Sequence, residues 1–383
     1  MRHFDYRSAV LATVLATYCA AYGAPVAKPS FITTSSTIAI QNLDQQIAQL
    51  GDQSGVEELL LVRQRFLSDY EALDRASALT EGRSETSADL LRRARTRAAV
   101  HRFADALGDI ASAEHKGATS EETRGLRASI LIATGHANDV IPELQADLVH
   151  LPGFASRSAL ASAYASTGRL VDADRLYAES LDDLDTTLPF PYAWVYFARG
   201  LMWADQGGDA ARGEVNYKQA LTYLPEFVAA NAHLAKLEAA RGDTVSSMAR
   251  LKRVVASSND PEALALLGEL VIKGGDTVHG PEEIALAQQR YESLLERYPL
   301  GFADHGADFY LGPGGDPERA WVLAQQNLAN RETDRAYALA IRAAEATGRY
   351  SEACTLILKA QSQSNKSTIK LASLKRTQSC RKN

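Results

Sequence analysis

His305 stands between Asp304 and Asp308, a spacing that can bring an imidazole and carboxylate oxygens to one face of a helix, the donor set of a divalent metal. No nearby second histidine, no cysteine partner and no His-Glu-x-x-His segment joins them, so the trio reads as a polar helix start. Gly312-Pro313-Gly314-Gly315 has the glycines of a phosphate cradle but lacks the Lys-Ser/Thr that should follow, and Asp316 would repel phosphate. It reads as a turn between helices. Arg92, Arg93, Arg95, Arg97 and Arg102 gather positive charge on one helix and would suit an acidic partner or a phosphate, while a solvated helix face is the plainer reading. Trp194, Tyr196, Phe197 and Trp203 are close in sequence. Exposed, they would make a hot spot for a peptide or sugar, and buried they are core. With no Gly-x-Ser-x-Gly elbow and no paired-carboxylate framework, no catalytic residue, metal or cofactor is assigned and the chain is not read as an enzyme.

The elements that hold these residues are helices. The 383 residues are 46% hydrophobic and 23% charged with only 12 prolines, the composition of a chain that folds. A net charge of −6 gives no basic footprint for nucleic acid. Leu160 and Tyr164 are four apart, as are Ala173, Tyr177 and Leu181, so each set lines one helix face. Gly168 between them supplies a left-handed turn. Ala161 and Ala173 are small enough for two helices to cross closely. Asp260-Pro261-Glu262 and Asp316-Pro317-Glu318 each place a capping acid, a first-turn proline and a further acid.

This block resembles the tetratricopeptide repeat. Weaker copies keep the register upstream at Ala128, Leu131, Gly135, Val140 and Leu144, and downstream at Gly200, Trp203, Tyr217 and Pro225, at Leu234, Gly242 and Leu251, at Leu267, Gly268 and Tyr291, and at Tyr337, Gly348 and Ala353. An insertion falls near residues 274–281. The resemblance implies an all-α, right-handed superhelical solenoid of helical hairpins, about eight units over residues 87–362. Residues 41–86 are expected to be an N-terminal helical cap, and 363–383 a basic C-terminal tail or capping helix. In that family the first helices of successive units line a concave groove for a protein or peptide partner. Carried onto this chain, the groove positions are Ser129, Ser158, Ser162, Ala165, Lys236, Glu269 and Arg342, with Trp194 as a further candidate. The Lys, Arg and Asn set of the members that clamp a chaperone tail is absent, with Ser162, Ala165 and Ala232 in its place.

Residues 1–23 resemble a secretory signal peptide, with Arg2 and Arg7 before the apolar run from Ala9 to Ala16 and small residues at Ala21 and Gly23. Residues 24–40 are expected to be a linker. No later run reaches the roughly 18 apolar residues of a membrane span. An exported, periplasmic or secreted protein would allow Cys354 and Cys380 to pair. These features together point to an exported scaffold for protein–protein contacts, serving envelope assembly, secretion or polysaccharide export. Two alternatives are a small-ligand or glycan receptor near Trp194 and Trp203, and a cryptic enzyme near His305.

Overall fold

A computed structural model describes residues 33–364, and among these are nineteen α-helices and no β-strand. After α1 (Ser36–Leu50) they form antiparallel pairs: α2 (Val56–Leu67) with α3 (Tyr70–Glu81), α4 (Ser87–Ala99) with α5 (Phe103–His115), α6 (Ser120–Ala133) with α7 (Ala137–His150), and α8 (Phe154–Ser166) with α9 (Leu170–Asp182). The series continues with α10 (Pro189–Leu201) and α11 (Ala210–Tyr223), α12 (Val228–Ala240) and α13 (Thr244–Ser257), and α14 (Pro261–Lys273) and α15 (His279–Arg297). It ends with α16 (Ala303–Leu311) and α17 (Pro317–Asn330), then α18 (Asp334–Ala346) and α19 (Tyr350–Ser364). This is an all-α solenoid of tetratricopeptide-like hairpins. Each hairpin packs on the next, so the core is shared along the stack rather than gathered at one centre.

The hairpins repeat because their turns repeat. Each turn holds one residue in the left-handed region: Ser68, His101, Gly135, Gly168, Gly208, Gly242, Gly275, Gly315 and Gly348. Successive positions are 33 or 34 residues apart, except that 168 to 208 and 275 to 315 are each 40 apart. The first longer interval accommodates the segment 183–188 and a π-helical turn, Met202–Gln206. The second accommodates the 19-residue α15, which absorbs most of the insertion expected near residues 274–281. Ala161 and Ala173 are fully buried where α8 and α9 cross, with Leu160 at 2% and Tyr177 at 3% exposure beside them. Asp260 and Asp316 cap their helices through Ala263 N–H at 2.8 Å and Arg319 N–H at 2.9 Å, with Pro261 and Pro317 in the first turns.

The N-terminal helices are more than an end cap, and they begin at Ser36, inside the stretch expected as linker. The turn at Ser68 puts α2 and α3 in the repeat frame, and α1 sits where the second helix of a preceding unit would sit. The coil then meets itself. Ser36 Oγ donates to Glu226 at 3.1 Å, Ser68 Oγ donates to Asp260 at 3.2 Å, and His101 Nδ1 lies 3.3 Å from Leu300 O. These pairs are separated by 190, 192 and 199 residues. Gly135 continues the series against Glu332, where an added Cβ would stand 2.5 Å from the carbonyl oxygen. Each early turn thus meets the start of the hairpin six units later, which makes one superhelical turn.

Candidate functional site

The first helices of the last four hairpins bring a band of charged side chains together. Lys236 on α12 donates to Glu262 Oε1 on α14, and His305 Nδ1 on α16 lies 3.3 Å from Glu262 Oε2. Asp304 pairs with Arg331, and its other oxygen is 3.9 Å from His305 Nε2. Arg335 on α18 stands 4.0 Å from both Asp304 and Asp308, and Arg342, two turns further along, pairs with Asp308. Asp304 is buried, with 3% side-chain exposure, whereas His305 at 39%, Lys236 at 45% and Arg335 at 58% reach solvent. The carboxylates are the fixed floor and the cations are the accessible layer.

The protonation states follow from these neighbours. Asp304 raises the His305 pKa to about 9 against the cost of burial, with help from Glu262. Burial would raise the Glu262 pKa, but Lys236 and His305 outweigh it and hold the carboxyl well below its usual range. Lys236 is likewise held in its charged form, since Glu262 overcomes the penalty of burial. His233, 3.3 Å from Tyr217 OH, has its pKa pushed down to about 4 by burial and stays neutral. The band therefore carries fixed charges of both signs at neutral pH. Nothing in it is poised as a proton donor and acceptor pair around a nucleophile.

Of the expected groove residues, the structure brings Lys236, Glu269 and Arg342 to this exposed face. Lys236 is also the charge felt by Glu269, whose pKa burial raises. Ser129 at 7%, Ser158 at 0% and Ala165 at 6% exposure do not belong to a groove. They are buried where first helices pack against their neighbours, and Ser129 Oγ is bonded to Leu126 O at 2.8 Å. Ser162 is half-buried and hydrogen-bonds Tyr177. Trp194 is half-buried too, edge-on to Tyr177 at 6.1 Å and packed between two core clusters. Trp203 is 8% exposed, with Nε1 donating to Asp174 at 3.0 Å and Arg212 over its ring. These rings build the core. Cys354 is disulfide-bonded, and the other end of the expected Cys354–Cys380 bond lies outside the described residues, as do the signal-like segment and the basic tail.

The other constellations are absorbed internally. Arg93 and Arg97 both bind the buried Asp109, at 2.6 and 2.9 Å, Arg97 and Arg102 share Glu81, and Arg92 binds Glu57 at 3.0 Å. The cluster that suggested an acidic partner is a structural ion-pair network between α2 to α5. Gly312 to Gly315 forms the turn between α16 and α17. Among the described residues, no three His, Cys, Asp or Glu side chains are arranged to hold a metal ion, and no helix is long and apolar enough to cross a membrane.

No protein-family model matches the chain, and no curated protein matches it. Among solved structures it is similar to the APC/C hetero-tetramer Cut9-Hcn1, at 16% identity and a TM-score of 0.46 over 86% of this chain, which spans 65% of that one. It is also similar to a tetratricopeptide repeat protein from Parabacteroides merdae, at 15% identity and 0.39, over 68% of this chain and 99% of that one. A third likeness is to the human IFIT1 dimer with PPP-AAAA, at 15% identity and 0.44, over 92% and 86% of the two chains.

Proposed function

We propose that this protein is an exported, non-enzymatic scaffold that holds a polypeptide segment of a partner against the charged inner face of its last four hairpins. The observation that carries this reading is the band itself, in which four consecutive first helices present Lys236, Glu269, Asp308 and Arg342 to solvent from the same side of the solenoid. A face with fixed charges of both signs suits a segment that offers carboxylates, amines and backbone amides together. Most core positions of the repeat are apolar and inward, so these are the side chains left to select a partner. The signal-like residues 1–23 support export to the periplasm or beyond, where envelope assembly, secretion or polysaccharide export would use such a scaffold.

Photo-cross-linking from position 269 in whole cells, read by mass spectrometry, tests the reading. A discrete protein adduct that disappears in the Lys236→Glu, Arg335→Glu, Arg342→Glu variant is expected, in the envelope fraction. Adducts that persist unchanged in that variant would remove the inner face from the account.

A further inference from the structure

The charged inner face and the contact between successive coils are one continuous network. Asp260 accepts hydrogen bonds from Ser68 Oγ at 3.2 Å and Tyr70 OH at 3.3 Å, both in the first coil. Two residues on, Glu262 holds Lys236 and His305 of the inner face. Asp304 lies within electrostatic reach of His101, whose carbonyl accepts from Asn330 at 2.9 Å. Any movement along the seam therefore moves the helix starts that carry the band.

The seam has two unlike parts. Along α1 and α2 it is apolar: Phe66 meets Phe190 at 5.2 Å and Phe227 at 4.8 Å, within a cluster that also buries Leu43, Ile47 and Leu59. Against α14 to α18 it is mostly polar. Asp74 accepts from Arg297 and from Tyr298 OH at 2.7 Å, and the Asp74 and Arg297 side chains are 37% and 38% exposed. Beyond these come Asp260, His101 and the backbone contact of Gly135 with Glu332. Tyr70 edge-on to Phe302 at 5.4 Å is the one aromatic pair along this stretch. Half-exposed ion pairs contribute little and are screened by salt, whereas apolar burial is not.

We propose that the polar part of the seam is a gate: α14 to α19 part from the turns at Ser68, His101 and Gly135, while α1 and α2 stay seated on α10 to α12 as the hinge. Opening widens the approach to the band that Lys236, Glu262, His305 and Arg335 form. The identity of what enters rests on the scaffold reading above, but the opening is a property of the protein alone.

Double electron–electron resonance on the full chain tests it, with spin labels on genetically encoded keto residues so that native cysteines are left alone. One pair, at positions 71 and 296, spans the polar seam, and a second, at 41 and 222, spans the apolar part; all four residues are exposed. At 1 M salt, where the Debye length is about 3 Å, the 71–296 pair is expected to lose part of its short-distance population to a longer one. The Asp74→Ala, Arg297→Ala variant is expected to do the same at low salt with helicity unchanged, and the 41–222 distance is expected to hold. An unchanged 71–296 distribution in both conditions overturns the gate, and so does parallel lengthening of both pairs, which would mean general loosening. Loss of cross-linked partners with a working gate would count against the scaffold reading and not against this one.

Discussion

Gly135 and Gly242 occupy the same place in the repeat with nearly the same backbone, φ +92° and +89°, and differ only in what they face. A Cβ at Gly242 would meet nothing within 4 Å, while one at Gly135 would stand 2.5 Å from Glu332 O and 3.1 Å from its carbonyl carbon. The repeat fixes the turn, and the coil fixes the neighbour. Ser68 and His101 make the same point from the other side. They hold the left-handed conformation without being glycine, at a cost of roughly 1–2 kcal/mol each, and their side chains reach Asp260 and Leu300 of the next coil.

The largest expected effect separates the apolar from the polar seam. Phe66→Ala removes a ring that is 3% exposed between Phe190 and Phe227, and should cost about 3–5 kcal/mol in urea unfolding. Asp74→Ala removes a half-exposed pair and should cost about 0–1 kcal/mol. If the two variants unfold at similar urea concentrations, the distinction between hinge and seam is lost.

Next in size is the glycine pair. Gly242→Ala meets only the backbone penalty of a left-handed alanine, about 1–2 kcal/mol. Gly135→Ala adds an overlap with backbone atoms, for which small-to-large substitutions in packed regions cost about 1–3 kcal/mol more. Thermal unfolding of the two variants should rank them in that order. Equal losses would show that the seam at Glu332 yields without cost.

The frame of the hairpins was legible because it is local: Leu160, Tyr164, Gly168 and Ala173 fix two helices and a turn, and Asp260 and Asp316 fix their starts. Where the turn residue is not glycine the frame went unread, so the unit around Ser68 was taken for a cap. Stacking of one coil on another depends on a small rotation accumulated over six hairpins, which no single repeat encodes. The groove was half legible. Lys236, Glu269 and Arg342 are exposed, but Ser129, Ser158 and Ala165 are small because neighbouring helices approach them, and smallness alone does not distinguish a close contact from an open groove. His305 drew attention as a metal donor because its own helix supplies two carboxylates. Its other partners, Glu262 from α14 and the arginines that neutralise Asp304 and Asp308 from α17 and α18, are distant in sequence.

The smallest effect compares a histidine in the seam with one on the inner face. Burial, aided by Arg331 and His305, lowers the His101 pKa to about 4 despite Asp304 and the bond to Leu300 O, and the ring stacks on Phe103 at 5.1 Å. The unfolded chain takes up this proton near 6.5 and the folded chain does not. Stability therefore falls as pH drops from 6.5 towards 4, by at most about 1.4 kcal/mol per pH unit. His305 has the opposite sign. Its folded pKa of about 9 means its contribution is complete below 6.5 and is lost as pH rises through 9, reduced by solvent screening at 39% exposure. Unfolding free energy measured against pH should show His101→Asn flattening the acid limb and His305→Asn flattening the alkaline limb. His101→Asn with an unaltered acid limb would place that limb on His233 and the carboxylates, and would leave the seam without a proton-linked contact.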